Sequence, residues 1–264
     1  MSIFGKLKAT PERIKNVDLL RSELSKAGFT NPYLQGAILG VVAKESGFVP
    51  KSEISYKNTS ADRIRTVFGS HFGDWSTAAI DNIKKNEVAF FNKIYGNRYG
   101  NAQNEGHTYR GRGFNQLTFK GNYEAAKKRT GINIVDNPDA VNQPKIAASV
   151  LVSYYKDRFG KYPKDVKKYV ASGNPNDVRD LDTAIKLAAH ANAGWGKSPK
   201  SWALTNAVKS TTAYAPFMYA YVKGGKAVKS ATDFLKKNKK PILIWLTLGS
   251  LATITYFAVK KIRK

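Results

Sequence analysis

The sequence predicts a mainly α-helical body followed by a single C-terminal transmembrane helix. Apolar residues recur at helical spacing along residues 1–222, strand signals are few, and a long uncharged segment lies near the C terminus. Ser60 is suited to cap a helix that runs through Phe68. Further helices are predicted at 18–26, 32–44, 77–95, 119–129, 143–159, 181–191 and 201–222. Between them, residues 96–117 form a loop rich in Gly, Asn, Arg and Tyr, and a loop of that length is usually functional.

The uncharged segment 241–259 reads PILIWLTLGSLATITYFAV. As a helix it matches the hydrocarbon thickness of a bilayer, and Trp245 and Tyr256 lie near its two ends, where aromatic rings favour the interface. We therefore predict a transmembrane helix at 241–259, a basic linker at 223–240 and a basic tail at 260–264. A buried core helix is the alternative. Basic residues flank both sides, so the orientation stays open, and no signal peptide is visible at the N terminus.

Charge and composition narrow the chemistry. The chain has 44 Lys+Arg against 19 Asp+Glu, a formal net charge of +25, and no cysteine. A disulfide framework, a thiol nucleophile and a Cys-based zinc site are thereby excluded. His71, His107 and His190 are far apart in sequence, so neither a metal nor another cofactor is expected. Since only eight basic residues lie in 236–264, the body keeps most of the surplus, which indicates an anionic partner: nucleic acid, lipid, or an acidic polymer such as a bacterial cell wall.

Glu45 is the first candidate catalytic residue. Leu34, Ile38, Val41 and Glu45 follow helical steps, so the acid shares a face with apolar residues and lies at a helix end, where Gly47 can supply the left-handed conformation. Apolar burial and the negative end of the helix dipole both disfavour a carboxylate, so we predict a raised pKa for Glu45, as a general acid requires. A glutamate that reaches solvent or pairs with an arginine is the alternative.

Glu53 is the second candidate. It lies in a polar loop after Pro50, and we predict that it is solvated and ionised. One acid with a raised pKa beside one ionised acid is the arrangement found in glycoside hydrolases. A helix end and the following loop suit a gap wide enough for a water molecule, hence inversion at the anomeric carbon, although sequence spacing does not establish that distance.

Four segments occur in order along the body: AKESGF (43–48), SEISYKNTSADRIRTVFG (52–69), YRGRGFNQLTFKGNY (109–123) and HANAGWG (190–196). Together they resemble glycoside hydrolase family 19, the chitinase-like enzymes, and especially its phage endolysin branch. The resemblance covers roughly residues 30–200, and it implies that 1–222 forms a two-lobed lysozyme-like helical domain with a substrate cleft. The family commonly has His immediately before the catalytic Glu, where this chain has Lys44.

By matched position, the resemblance makes Glu45 the general acid, Glu53 the general base and Thr118 the residue that helps hold the attacking water. Gln116, Asn122 and Tyr123 match sugar-contacting positions, and Asn192 matches an asparagine that binds an N-acetyl sugar. The remaining candidate substrate contacts are aromatic rings, which either stack on sugars or pack in the core, and arginines, which either contact wall carboxylates or brace the glutamates. They are Tyr56, Tyr109, Tyr123 and Trp195, and Arg110 and Arg112.

These observations predict a peptidoglycan-degrading glycosidase that hydrolyses β-1,4 bonds between amino sugars by an inverting acid/base mechanism. We expect a phage lytic enzyme anchored in the membrane of the infected cell or in the internal membrane of a lipid-containing virion. Its partners would be peptidoglycan and lipid, with no nucleic acid expected and the oligomeric state open. The alternatives are a lytic transglycosylase, which needs one glutamate, or a non-catalytic membrane-anchored protein that binds the wall or nucleic acid.

Overall fold

The computed structural model describes residues 7–194 and 201–224, which form helices joined by long loops. The helices are α1 (Pro11–Lys26), α2 (Pro32–Ser46), α3 (Ala61–Phe72), α4 (Thr77–Ile83), α5 (Glu87–Tyr95), α6 (Lys120–Thr130), α7 (Pro144–Lys161), α8 (Pro163–Val166), α9 (Leu181–Ala193), α10 (Trp202–Thr212) and α11 (Ala215–Val222). In these ranges the antiparallel pairing of Arg112 with Leu117 is an isolated bridge. The helical part of the predicted fold class is confirmed, and the architecture is consistent with a lysozyme-like helical fold.

Two of the predicted helices are each divided in the structure. The segment 77–95 breaks into α4 and α5 because the Asn86 side chain accepts a hydrogen bond from Ala89 N and starts a new helix. The segment 201–222 breaks into α10 and α11. Pro216 lies at the start of α11, and its ring and missing N–H prevent α10 from continuing through it. In the other direction, α1 begins at Pro11, seven residues before its predicted start, because the Thr10 side chain caps it.

Helix α2 lies at the centre of the main hydrophobic core. Its residues from Leu34 to Ala43 are all buried, and α1, α9, α10 and α11 pack around it. Gly36 and Gly40, one turn apart, let the backbone of α11 approach closely. A Cβ atom on Gly36 would lie 2.7 Å from the Cα of Tyr219, and one on Gly40 would lie 2.8 Å from the Cβ of Ala215. The missing side chains therefore set the distance between α2 and α11.

Two smaller groups of buried hydrophobic residues accompany the main core. We call the first the aromatic cluster; it comprises α3–α5 residues, namely Ala61, Ile64, Phe72, Ile80, Phe90, Phe91 and Ile94. The second is centred on Tyr109, Leu117, Tyr123, Ile134 and Val141. The loop between α2 and α3 contributes Phe48 to the main core and packs Tyr56 against the aromatic cluster, and the loop between α5 and α6 contributes Phe114 to the main core and Tyr109 to the second group. Both loops contain candidate site residues.

The membrane anchor in the predicted fold class and localisation is corrected. Among the helices of residues 7–194 and 201–224, none has the length and apolar character needed to cross a bilayer. The segment 241–259, to which the sequence assigned the span, lies outside the described residues, as do the tail at 260–264 and nearly all of the linker at 223–240. The boundary of the helical domain at residue 222 stays a prediction.

Replacing Gly36 by alanine tests the close approach of α2 and α11. The new Cβ meets backbone atoms of Tyr219, so we expect Gly36→Ala to lower the free energy of unfolding by about 1–3 kcal/mol in spite of its better helix propensity. The control is Gly160→Ala near the end of α7, where a Cβ meets nothing within 4 Å. It should leave stability unchanged or raise it by up to about 1 kcal/mol. Equal urea midpoints for the two variants would contradict the packing.

Candidate active site

The chain leaves α2 in a fixed geometry. Gly47 ends the helix in the left-handed conformation, with φ of 59°, as predicted. The Arg13 side chain donates to the Gly47 carbonyl at 3.0 Å, and the buried Asn16 amide donates to the Phe48 carbonyl at 2.8 Å. Both donors belong to α1. The last turn of α2, which carries Glu45, is therefore held against α1 as well as by its own helical bonds.

Glu45 lies where the ends of α2 and α9 meet. Its Oε1 accepts hydrogen bonds from Lys44 Nζ at 2.6 Å and from Asn192 Nδ2 at 3.3 Å, and its side chain is 21% exposed. The structure thus brings together two predicted site residues that are 147 positions apart in sequence. Because α2 is buried on all sides, the apolar stripe that pointed to Glu45 is one part of a fully buried helix.

Glu53 is enclosed, and the prediction that it is solvated is wrong. Its Oε1 accepts from the Tyr56 hydroxyl at 2.9 Å, and the Tyr95 hydroxyl lies 3.1 Å from Oε1 and 3.0 Å from Oε2. Gly111 N donates to Oε2 at 3.4 Å, while Glu53 N donates to the Gly111 carbonyl at 2.7 Å. At Glu53 and Tyr56 the loop after Pro50 contacts the 108–118 segment and the aromatic cluster, while Ile54 between them is 73% exposed.

Burial and hydrogen bonding act on the Glu53 carboxyl in opposite directions. Burial raises its pKa above the ordinary value, and this effect is the largest. The hydrogen bonds from Tyr56, Tyr95 and Gly111 lower the pKa, as does the positive charge of Arg110. The net shift is upward. Glu53 is therefore a carboxyl with a raised pKa whose ionised form already has its donors in place.

The 109–123 segment brings two polar side chains, those of Gln116 and Thr118, to one point beside Glu53. Backbone hydrogen bonds between Arg112 and Leu117, at 2.8 and 3.1 Å, close a tight turn. A Cβ atom on Gly111 would lie 2.9 Å from Gln116 Oε1, 3.3 Å from Glu53 Oε2 and 3.4 Å from Thr118 Oγ1. A Cβ at this position would therefore require the Gln116 side-chain oxygen to shift and would crowd Glu53 Oε2. Thr118 and Glu53, predicted to handle the attacking water, thus lie beside the same backbone atom.

The side-chain amides of Gln116 and Asn122 donate hydrogen bonds to backbone carbonyls. Gln116 Nε2 donates to the Lys51 carbonyl at 2.9 Å, which ties the turn to the loop that carries Glu53. The Asn122 amide donates to the Thr118 carbonyl at 2.7 Å. Their roles as sugar contacts stay predictions.

Tyr109 and Tyr123 agree with the core-packing alternative, and Arg112 is buried in contact with Tyr123. Tyr109 is 5% exposed and Tyr123 is fully buried, so neither ring has a face for a sugar; they pack against each other with centroids 5.3 Å apart. The Tyr123 hydroxyl donates to the Arg110 carbonyl. The Arg112 guanidinium, 4% exposed, donates to Asp139 at 2.7 Å and to Tyr123 at 3.2 Å. Through these contacts the three residues stabilise the turn between Arg112 and Leu117. Arg112 makes no direct hydrogen bond to Glu45 or Glu53.

Arg110 and Tyr56 act on Glu53, and Trp195 lies outside the described residues. Arg110 donates to the His107 carbonyl at 2.8 Å and lies 3.8 Å from Glu87, while its charge favours ionised Glu53. This agrees with the bracing alternative for Arg110. The Tyr56 ring stacks on Phe90 with centroids 5.1 Å apart, and its hydroxyl binds Glu53. Tyr56 is a partner of the carboxylate, and a sugar-stacking role for it stays untested.

Sequence reasoning missed Tyr95. Inside the predicted helix 77–95 it was one more residue of an apolar pattern, and nothing in its local sequence indicates that its hydroxyl reaches Glu53, 42 positions away. Its ring stacks on Phe91 and meets Phe119 edge-on. In the described part of the chain no three His, Asp or Glu side chains converge as metal ligands would.

Removing the Tyr95 hydroxyl tests whether its hydrogen bond offsets the effect of burial on the pKa of Glu53. Because this donor lowers the pKa of Glu53, Tyr95→Phe should raise that pKa further, by up to about one unit, in a carbon-13 NMR titration. Tyr162→Phe, at an exposed tyrosine that is not hydrogen-bonded to Glu53, is the control and should leave the titration unchanged. A Tyr95→Phe titration that overlays the native curve would show that the hydroxyl does not act on the carboxyl.

Comparison with known proteins bears on the family to which the chain belongs. No protein-family model matches the chain. Over 155 residues the chain is 32% identical to a Haemophilus influenzae protein named as a glycosyl hydrolase family 19 domain-containing protein. The match covers 56% of this chain and 74% of that protein. The resemblance expected from the motifs is thereby confirmed at the level of the family, and with it the coarse activity of a glycoside hydrolase: the chain belongs to glycosyl hydrolase family 19.

Proposed function

We propose that this protein hydrolyses β-1,4 bonds between the amino sugars of peptidoglycan by an inverting mechanism, with Glu45 as general acid and Glu53 as general base. The observation that carries the proposal is the enclosed Glu53 carboxylate, held by two phenol hydroxyls beside Thr118. A non-catalytic binding protein needs no such second carboxylate.

Glu53 has the surroundings of a base. Its raised pKa makes the ionised form a stronger proton acceptor, and general-base efficiency rises as the pKa approaches the working pH. Oε2 and the Thr118 hydroxyl lie on the same side of Gly111, so a water molecule between them would be oriented by Thr118 and deprotonated by Glu53. The base then keeps the proton while the water oxygen bonds to the anomeric carbon.

Glu45 supplies the proton to the leaving oxygen. Lys44 Nζ occupies Oε1 at 2.6 Å, so this ion pair must open and the carboxylate must take up a proton from solvent before Glu45 can donate to a glycosidic oxygen. The Lys44 side chain is 36% exposed and can turn into solvent. Asn192 contacts the same Glu45 oxygen, and its amide can donate a hydrogen bond to an N-acetyl group or accept one from it. Such a bond would place the sugar against the acid.

Peptidoglycan is favoured over chitin by charge. With a formal net charge of +25, the protein is attracted to an anionic wall polymer, whereas chitin offers no such attraction. The motif resemblance to phage endolysins supports the same substrate, so we assign the protein to the wall-lytic members of the family. Membrane anchoring forms no part of this proposal.

The products of wall digestion test the reaction. Purified peptidoglycan digested by the full chain should yield fragments with new reducing ends, identified by mass spectrometry, and the first-formed anomer should be inverted by proton NMR. Fragments with 1,6-anhydro ends would instead identify a lytic transglycosylase. An absence of cleavage of both peptidoglycan and chitin would favour a binding protein.

Carboxyl-to-amide substitutions test the two roles. Glu45→Gln and Glu53→Gln should each lower kcat by about 10²–10⁴-fold, because an amide neither donates the proton nor accepts it. Glu124→Gln, at an exposed glutamate of α6, is the matched control and should retain native kcat. Circular dichroism should show unchanged helix content in all three variants. Native turnover in either catalytic variant would refute the corresponding role.

A further inference from the structure

Tyr99 is a large aromatic residue exposed to solvent in a loop that leads to the active site. It is 70% exposed, whereas Tyr109 and Tyr123, both expected to contact sugar, are buried. An isolated exposed apolar side chain needs no explanation by itself. What distinguishes Tyr99 is how firmly its exposed position is fixed and what its ring contacts.

The backbone around Tyr99 is held in an unfavourable conformation. Its φ of 45° lies in the left-handed region, which bulky residues rarely adopt and which persists only when surrounding bonds enforce it. Those bonds are present. The Tyr99 carbonyl accepts from Gly121 N at 3.1 Å, and Asn101 links Lys120 N, at 2.7 Å, to the Tyr95 carbonyl, at 2.8 Å. The loop is thus fastened to the start of α6 and to the end of α5.

The Tyr99 ring is connected to the base through aromatic contacts. Its centroid lies 4.8 Å from that of Phe119, and Phe119 meets the Tyr95 ring edge-on at 5.3 Å. The Tyr95 hydroxyl binds Glu53. Arg98 lies over the Tyr99 and Phe119 rings, at 5.6 and 5.4 Å from their centroids, and is itself fixed to the Ile94 carbonyl at 2.8 Å. Two rings therefore separate Tyr99 from the Glu53 carboxylate.

A ring so held is suited to a pyranose. The C–H faces of amino sugars are apolar and flat enough to lie on an aromatic ring, while the phenol hydroxyl can bond to a sugar hydroxyl or an N-acetyl group. A preorganised ring loses little entropy on binding. We propose that Tyr99 is a sugar-stacking residue that binds a pyranose unit of the amino-sugar polymer on the Glu53 side of the active site. The proposal rests on the proposed function for its ligand class.

Binding of the N-acetylglucosamine tetramer tests this residue. Calorimetry uses the full chain carrying Glu45→Gln, so that the ligand is not consumed. Tyr99→Asn removes the ring with a residue that tolerates the left-handed conformation, and it should weaken binding by about 3- to 10-fold. Tyr99→Phe keeps the ring and should bind within about twofold of the parent. Tyr162→Asn, at an exposed tyrosine elsewhere, is the matched control.

Steady-state digestion of peptidoglycan separates stacking from a structural role. Without Glu45→Gln, Tyr99→Asn should raise KM by a similar factor and leave kcat within about twofold, because a contact away from the reacting bond contributes equally in ground and transition states. Tetramer binding that is unaffected by Tyr99→Asn, weakened equally by Tyr99→Phe, or absent in the parent would each overturn the proposal. Tetramer binding that depends on Tyr99, in a chain that cleaves no wall, would instead refute the proposed hydrolysis of peptidoglycan and leave the stacking role of Tyr99 intact.

Discussion

The hydrogen bonds to the Glu53 carboxylate join parts of the molecule that are distant in sequence. Tyr56 comes from the same loop, Tyr95 from the end of α5 and Gly111 from the turn before α6. Each donor depends on a different support. The two tyrosine rings pack against the aromatic cluster, and the backbone hydrogen bonds between Arg112 and Leu117 position Gly111. Loss of any one support would leave a buried carboxyl short of a partner, which is costly.

The position of Glu45 depends on α2. Its close packing with α11 through two glycines fixes the axis of the helix, and Gly47 ends it at a defined point, so Glu45 has little positional freedom. Eight residues later the chain reaches Glu53 in a wholly different environment. One carboxyl is partly exposed beside Lys44 and Asn192, and the other is enclosed among aromatic rings. Two chemically identical groups are thereby given the unlike surroundings that acid/base chemistry needs.

The sequence predicted the features that depend on local chemistry. The left-handed Gly47, the Ser60 cap and most helix positions follow from residues within one or two turns, and the structure has them. The failures involve distant contacts. A polar loop predicts solvation, but the loop that carries Glu53 folds onto an aromatic cluster formed by α3–α5. Tyr95 has no local mark of its role, and the burial of Tyr123 depends on packing partners that its motif does not reveal.

The choice of phenols as partners for Glu53 has a physical reason. A buried carboxyl without donors would stay protonated near neutral pH and could not act as a base, whereas a lysine or arginine in direct contact would hold its pKa too low for efficient proton uptake. Phenol hydroxyls lie between these extremes. Burial and the negative charge of Glu53 raise the pKa of both Tyr56 and Tyr95, so the two hydroxyls keep their protons and remain donors. By positioning the two tyrosines, the aromatic cluster lets the desolvated Glu53 carboxyl ionise. The affinity of that carboxyl for a proton nevertheless stays high.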